Sequence, residues 1–149
     1  MKFSTREDID APVETVFEAV TDFDGFERQI LRRGIDLTRD ESCPPDVTGA
    51  RWNARIEWRG RAQDLEAELV SIEANEGYAI ESRTGGIICM GVIDLVSLSK
   101  ARTRMFVSLD LKPTTLSSRL FIQSLRLAKG SLNRRFKARV ADFAAGVGA

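Results

Sequence analysis

Between Lys2 and Asp10 the side chains alternate in polarity, with Phe3, Thr5, Glu7 and Ile9 on one face, the period of a strand. Ala11-Pro12 ends that strand, and proline suits the first position of a helix. Val13, Val16, Phe17 and Val20 recur at i, i+3, i+4 and i+7, which predicts a short amphipathic helix. Thr21-Asp22 interrupts it and can cap a second short helix, with Phe23, Phe26, Ile30 and Leu31 turned inward and Gly34 at its end.

From Gly34 to Pro113 the pattern is that of strands with turn signals between them. Ile35 and Leu37 begin a short strand, followed by a loop through Cys43-Pro44-Pro45 and Gly49. Trp52, Ala54, Ile56 and Trp58 alternate with charged and polar neighbours, so one face is aromatic and dry and the other wet. Beyond Gly60 a long strand runs through Leu65, Ala67 and Leu69, then slips to Val70 and Ile72, the mark of a bulge. Tyr78, Ile80 and Ser82 share the next inward face. Gly85-Gly86 turns into an apolar strand from Ile87 to Leu98, and Met105, Val107, Leu109 and Leu111 alternate in the last one.

Thr114 or Thr115 can cap a helix that runs to about Ala145. Phe121, Leu125, Ala128, Leu132, Phe136, Val140, Phe143 and Val147 form one apolar stripe on it, about 40 Å long. Gly130 falls inside that helix, where it signals a bend or a close backbone approach. Leu116, Leu120, Ile122 and Leu127 make its first third apolar on several sides, an expected exposed surface.

Composition changes this picture mainly by exclusion. The 149 residues read as a single domain, and 43 % apolar with 30 % charged side chains rules out a disordered or collagen-like chain. No apolar run reaches the length of a membrane span, and Met1 to Asp8 has no secretory h-region. Cys43 and Cys89 are too far apart for a zinc pattern, and a cytoplasmic setting is expected. There is no histidine, which excludes His-ligated metals, His-dependent nucleophiles and imidazole acid–base chemistry. Neither a metal nor a cofactor is expected.

Charge is balanced in total but not along the chain. Residues 1–111 carry 14 basic and 21 acidic side chains, whereas residues 112–149 carry 8 and 1. A basic helix neutralised by an acidic sheet accounts for this, as does a basic face for weak contact with an anionic membrane. The densest basic run, Arg134 to Arg139, includes only Phe136, which belongs to the apolar stripe, so no specific nucleic-acid binding is expected.

A strand, two short helices, six antiparallel strands and a long C-terminal helix make an α+β order. That order resembles the helix-grip fold of the START-like, or SRPBCC, superfamily. The local match runs from Ile9-Asp10-Ala11-Pro12-Val13 through Val16-Phe17 to Asp22-Phe23. The chain is most similar to the small stand-alone bacterial members. The resemblance implies a curved sheet of about seven antiparallel strands wrapped round the C-terminal helix. It also implies a cavity between sheet and helix for a lipid, quinone or polyketide-like molecule.

On that architecture the cavity wall is expected from Trp52, Ile56, Trp58, Tyr78, Met105, Leu109, Phe121 and Leu125. Glu7 and Ser82 are the candidate polar anchors. Glu7 is also a candidate acid or base if buried, against the alternative of a solvated or ion-paired carboxylate. Glu66 and Glu68 sit i, i+2 on a strand and read as its wet side. Carriage of an apolar small molecule without catalysis is the expected function. A polyketide cyclase or dehydratase-like enzyme, a closed interaction module and a homodimer sealed by the helix are the alternatives.

Overall fold

A computed structural model of the chain describes residues 1–58 and 60–147, with the backbone alone at Trp58. Strand β1 (Lys2–Ile9) leads into helices α1 (Val13–Val20) and α2 (Phe23–Arg32). Six strands follow: β2 (Asp36–Arg39), β3 (Arg51–Trp58), β4 (Arg61–Glu73), β5 (Gly77–Thr84), β6 (Ile87–Ser99) and β7 (Arg102–Pro113). Helices α3 (Leu116–Leu127) and α4 (Lys129–Val147) end the described chain.

The seven strands form one antiparallel sheet in the order β1-β7-β6-β5-β4-β3-β2. Consecutive strands from β2 to β7 are neighbours, while β1 pairs with β7. Helices α1 and α2 therefore carry the chain from one edge of the sheet to the other. The sheet is curved, and its apolar face holds the helices. Alternation set the strand faces as expected, and the slip in β4 is a bulge between Leu69 and Ser71. Gly85 and Gly86 both have positive φ, 53° and 76°, which is what a two-residue hairpin between right-twisted strands requires.

The helix ends follow their side chains. The Asp22 carboxylate accepts from the Gly25 N–H at 3.1 Å and so starts α2. Thr115 and Ser118 cap α3 reciprocally, hydroxyl to backbone, at 3.1 and 3.0 Å. The C-terminal helix carries a one-residue interruption at Ala128, where the Ala128 N–H donates to Leu125 O in a tightened turn. The interruption falls two residues before Gly130. A Cβ at Gly130 would meet only Arg134 Nη1, at 3.8 Å, so no backbone approaches it closely.

Two further expectations are corrected by the packing. Leu31 lies on the outer side of α2 and is exposed, because α2 covers the sheet edge only through Phe23, Phe26, Glu27 and Ile30. Ile122 is buried, while Leu116, Leu120 and Leu127 are exposed. On a 3.6-residue helix those three leucines lie within about 40° of one another, roughly opposite Ser118, Ile122 and Leu125.

The core has two centres. One joins Ile9, Val16, Val20, Leu95 and Met105 to Val140 and Ala144 of α4. The other joins Phe23 of α2 to Ala50, Trp52 and Leu69. Tyr78 touches both clusters.

Candidate functional site

Helix α2 presents Phe23, Phe26, Glu27 and Ile30 at i, i+3, i+4 and i+7, so all four look to the same side. They face the dry side of β2–β5 across a half-open cavity of about 340 Å³, whose wall includes Trp52, Ile56, Leu65, Tyr78 and Ile80. The Phe23 ring stands edge-on to Tyr78 at 5.2 Å and tilted against Trp52 at 5.7 Å, forming the aromatic end of this cavity. Tyr78 is mostly buried, and its hydroxyl donates to the Val20 carbonyl at 2.7 Å. That bond ties the middle of the sheet to the C-terminal end of α1. Burial pushes the Tyr78 phenol well above its ordinary range, so it stays a neutral donor.

A second apolar cavity, of about 300 Å³, lies between α4 and strands β6 and β7. Met105, Val107, Phe136, Val140 and Phe143 line it, with Arg139 as the one charged side chain among the described residues. Phe26 belongs to both linings, and its ring meets Phe143 at 6.1 Å. The two cavities thus adjoin across a pair of aromatic rings.

The expected wall residues divide accordingly. Trp52, Ile56 and Tyr78 come together in the α2 cavity, and Met105 lines the α4 cavity. Leu109 is half-buried on the inner face of β7 opposite Phe3, outside both linings. Phe121 and Leu125 are half-buried on α3 and also stand outside them, because α3 packs against β7 rather than over β3–β5. The side chain of Trp58 lies outside the described residues.

The two expected anchors are on the inner sheet face beside the cavities but in neither lining. Glu7 is half-buried opposite Met105, and Ser82 is half-buried between Ala67 and Cys89. The charged side chain among the described lining residues of the α2 cavity is Glu27. Its Oε1 accepts from Trp52 Nε1 at 2.7 Å and pairs with Arg39 Nη1 at 3.2 Å. The sequence carries a signal for this residue: a carboxylate in the i+4 position of an otherwise apolar helix stripe.

The wet face offers a polar hollow of about 500 Å³ lined by Asn53, Glu66 and the ion pairs Arg51–Glu68, 3.0 Å, and Arg83–Glu81, 2.6 Å. Charges paired across an open sheet face are structural features of a solvated surface. Cys89 is half-buried, and burial together with Asp110 raises its thiol above the ordinary range, which keeps it protonated and unreactive. Among the described residues no group of His, Cys, Asp or Glu is arranged to hold a metal ion. No described helix is long and apolar enough to cross a membrane.

Solved structures place this architecture. The protein superposes on truncated norcoclaurine synthase from Thalictrum flavum with a TM-score of 0.66 at 11 % identity, covering 97 % of this chain and 90 % of that one. It matches the Zhui aromatase/cyclase from Streptomyces sp. R1128 with a TM-score of 0.58 at 12 % identity, over 77 % and 69 %. A START superfamily protein from Mycobacterium smegmatis matches with a TM-score of 0.52 at 16 % identity, over 90 % and 95 %. The fold is START-like. No protein-family model and no curated protein matches the chain by sequence. Identities this low show a shared START-like fold, with its helix-grip arrangement of curved sheet and C-terminal helix, and nothing finer.

Proposed function

We propose that the protein binds and carries an apolar small molecule of the lipid, quinone or polyketide-like kind, held under α2 and α4. The observation that carries this reading is the α2 cavity itself. Its volume of about 340 Å³ suits a small ligand, and an apolar aromatic wall with one convergent polar group is the usual make-up of such a site. The α4 cavity adjoins it across Phe26 and offers room for a longer molecule.

A carrier is favoured over a cyclase-like enzyme because so few lining groups can move a proton. Tyr78 is committed to Val20 O, and Glu27 is held by Trp52 and Arg39. Free thiols at Cys43 and Cys89 fit a cytoplasmic setting.

The same protein would meet an anionic membrane through α3. Leu116, Leu120 and Leu127 are 75, 57 and 92 % exposed on one line of that helix. Arg119 and Arg126 flank the line on one side, and both are exposed. An exposed apolar ridge edged with arginine matches the boundary between acyl chains and anionic headgroups. A second copy seated on the ridge would instead bring like charges together.

The test of the carrier reading is a melting screen with fatty acids, quinones, sterols and aromatic polyketides, alongside native mass spectrometry for a co-purified ligand. A ligand binding only the folded state at a hundred times Kd adds about 2.7 kcal/mol. For a chain of this length the melting temperature should rise by roughly 5–10 °C. Because Trp52 lines the cavity, binding should also change tryptophan fluorescence. A screen with no melting shift, no fluorescence change and no bound mass would sink the reading.

A further inference from the structure

We propose that Glu27 is the polar anchor of the α2 cavity and selects apolar ligands that carry a hydrogen-bond donor, an alcohol, phenol or amine, over carboxylates. The inference rests on the carrier reading and adds the chemical class of the ligand.

Among the described residues, the lining has no donor to spare. Trp52 and Tyr78 are the lining residues with a neutral donor, and both donors are used inside the protein. The Trp52 N–H goes to Glu27 Oε1 at 2.7 Å, and the Tyr78 O–H goes to Val20 O at 2.7 Å. A ligand carboxylate entering the cavity therefore meets no free donor among the described wall residues, and a buried charge without a partner is costly.

Acceptor capacity is a different matter. Both bonds to Glu27 reach Oε1, so Oε2 takes none among the described residues. No fully buried side-chain oxygen or nitrogen among those residues lacks a partner, so Oε2 is accessible. The Glu27 side chain is only 20 % exposed and lines the cavity, which makes that free oxygen an acceptor at the edge of an apolar space.

Electrostatics push the same way. Arg39 Nη1 is shared between Glu27, at 3.2 Å, and Asp24 Oδ1, at 3.1 Å. Two carboxylates around one guanidinium leave a local charge of about −1. A ligand anion is repelled there, whereas a hydroxyl or ammonium is attracted and closes the unused lone pairs of Oε2.

Naphthalenes carrying one substituent at a common ring position separate these effects: methylnaphthalene, naphthol, naphthylmethylamine and naphthoate. They are titrated calorimetrically against the full chain at neutral pH. Naphthol and the amine should bind roughly tenfold or more tighter than methylnaphthalene, because a hydrogen bond to a charged acceptor contributes on that scale. Naphthoate should bind more weakly than methylnaphthalene. Glu27→Gln keeps an acceptor for the Trp52 N–H but removes the charge, so the gap between naphthol or the amine and methylnaphthalene should collapse. Circular dichroism melting checks that this variant folds, and the wild-type series decides the matter by itself if it does not. Equal affinities across the series would overturn the anchor and leave the carrier reading standing. Tightest binding by naphthoate would overturn it in favour of Arg39. Failure of every member to bind would bring down both.

Discussion

Thr103 is fully buried in β7, and its hydroxyl donates to the Ala11 carbonyl at 2.9 Å. The same short stretch is folded back by the Ala11 N–H, which donates to Ile9 O at 2.9 Å. One hydroxyl thus fixes where the chain leaves β1 and the angle at which α1 starts. Thr103→Val keeps the shape and removes the donor, leaving the Ala11 carbonyl unsatisfied. The expected cost is about 1–3 kcal/mol, read as a lower urea midpoint at unchanged slope. Unchanged stability would assign the position to methyl packing instead. Nothing in the local pattern marks Thr103, since its partner is 92 residues away in sequence.

At the scale of elements, the C-terminal helix shows where local rules and packing diverge. Gly130 is the poorest helix former in that stretch, yet the interruption falls at Ala128, where the last turn of α3 tightens. Gly130 itself sits exposed in the first turn of α4, and a methyl group there would have open space around it apart from Arg134 Nη1 at 3.8 Å. Gly130→Ala should therefore stabilise the protein by about 0.5–1 kcal/mol. A melting temperature higher by roughly 1–4 °C is the expected reading. A lower one would show that the glycine is needed for the interruption.

The whole molecule is electrically lopsided. All eight basic side chains between Lys112 and Arg139 are exposed. Among the described residues no salt bridge joins any of them to a carboxylate of the sheet; Asp8, Asp24, Glu27, Glu68 and Glu81 pair with arginines at or before Arg104. Any neutralisation of the basic helix by the acidic sheet, one of the two expectations for this charge pattern, therefore acts at longer range than a salt bridge among the described residues. Co-sedimentation with anionic vesicles should appear at low ionic strength and weaken near 0.1 M salt, where screening acts over about 10 Å. Replacing Leu116 and Leu127 together with serine should reduce that binding without lowering the melting temperature, because both side chains are exposed. Self-association in place of vesicle binding would assign the ridge to a second copy.

The amino-acid pattern alone determined the elements and their dry faces. Alternation in β3 and β7, the slip at Val70, the glycine pair of the β5–β6 hairpin and the α1 stripe each report a local preference for one side. Those preferences, with the order of elements, were enough for the START-like arrangement, and they placed Trp52, Ile56 and Tyr78 on the face that becomes the α2 cavity. Which dry face meets which was decided only in three dimensions. Helix α2, rather than α3, covers β3–β5, so Glu27 enters the wall while Phe121 and Leu125 do not. Glu27 bonds Trp52 across 25 residues, and Ile122 turns inward where the neighbouring leucines turn out. The physical reason is that periodicity fixes the direction of a side chain relative to its own element. The partner it meets depends on strand pairing and sheet curvature summed over the whole chain.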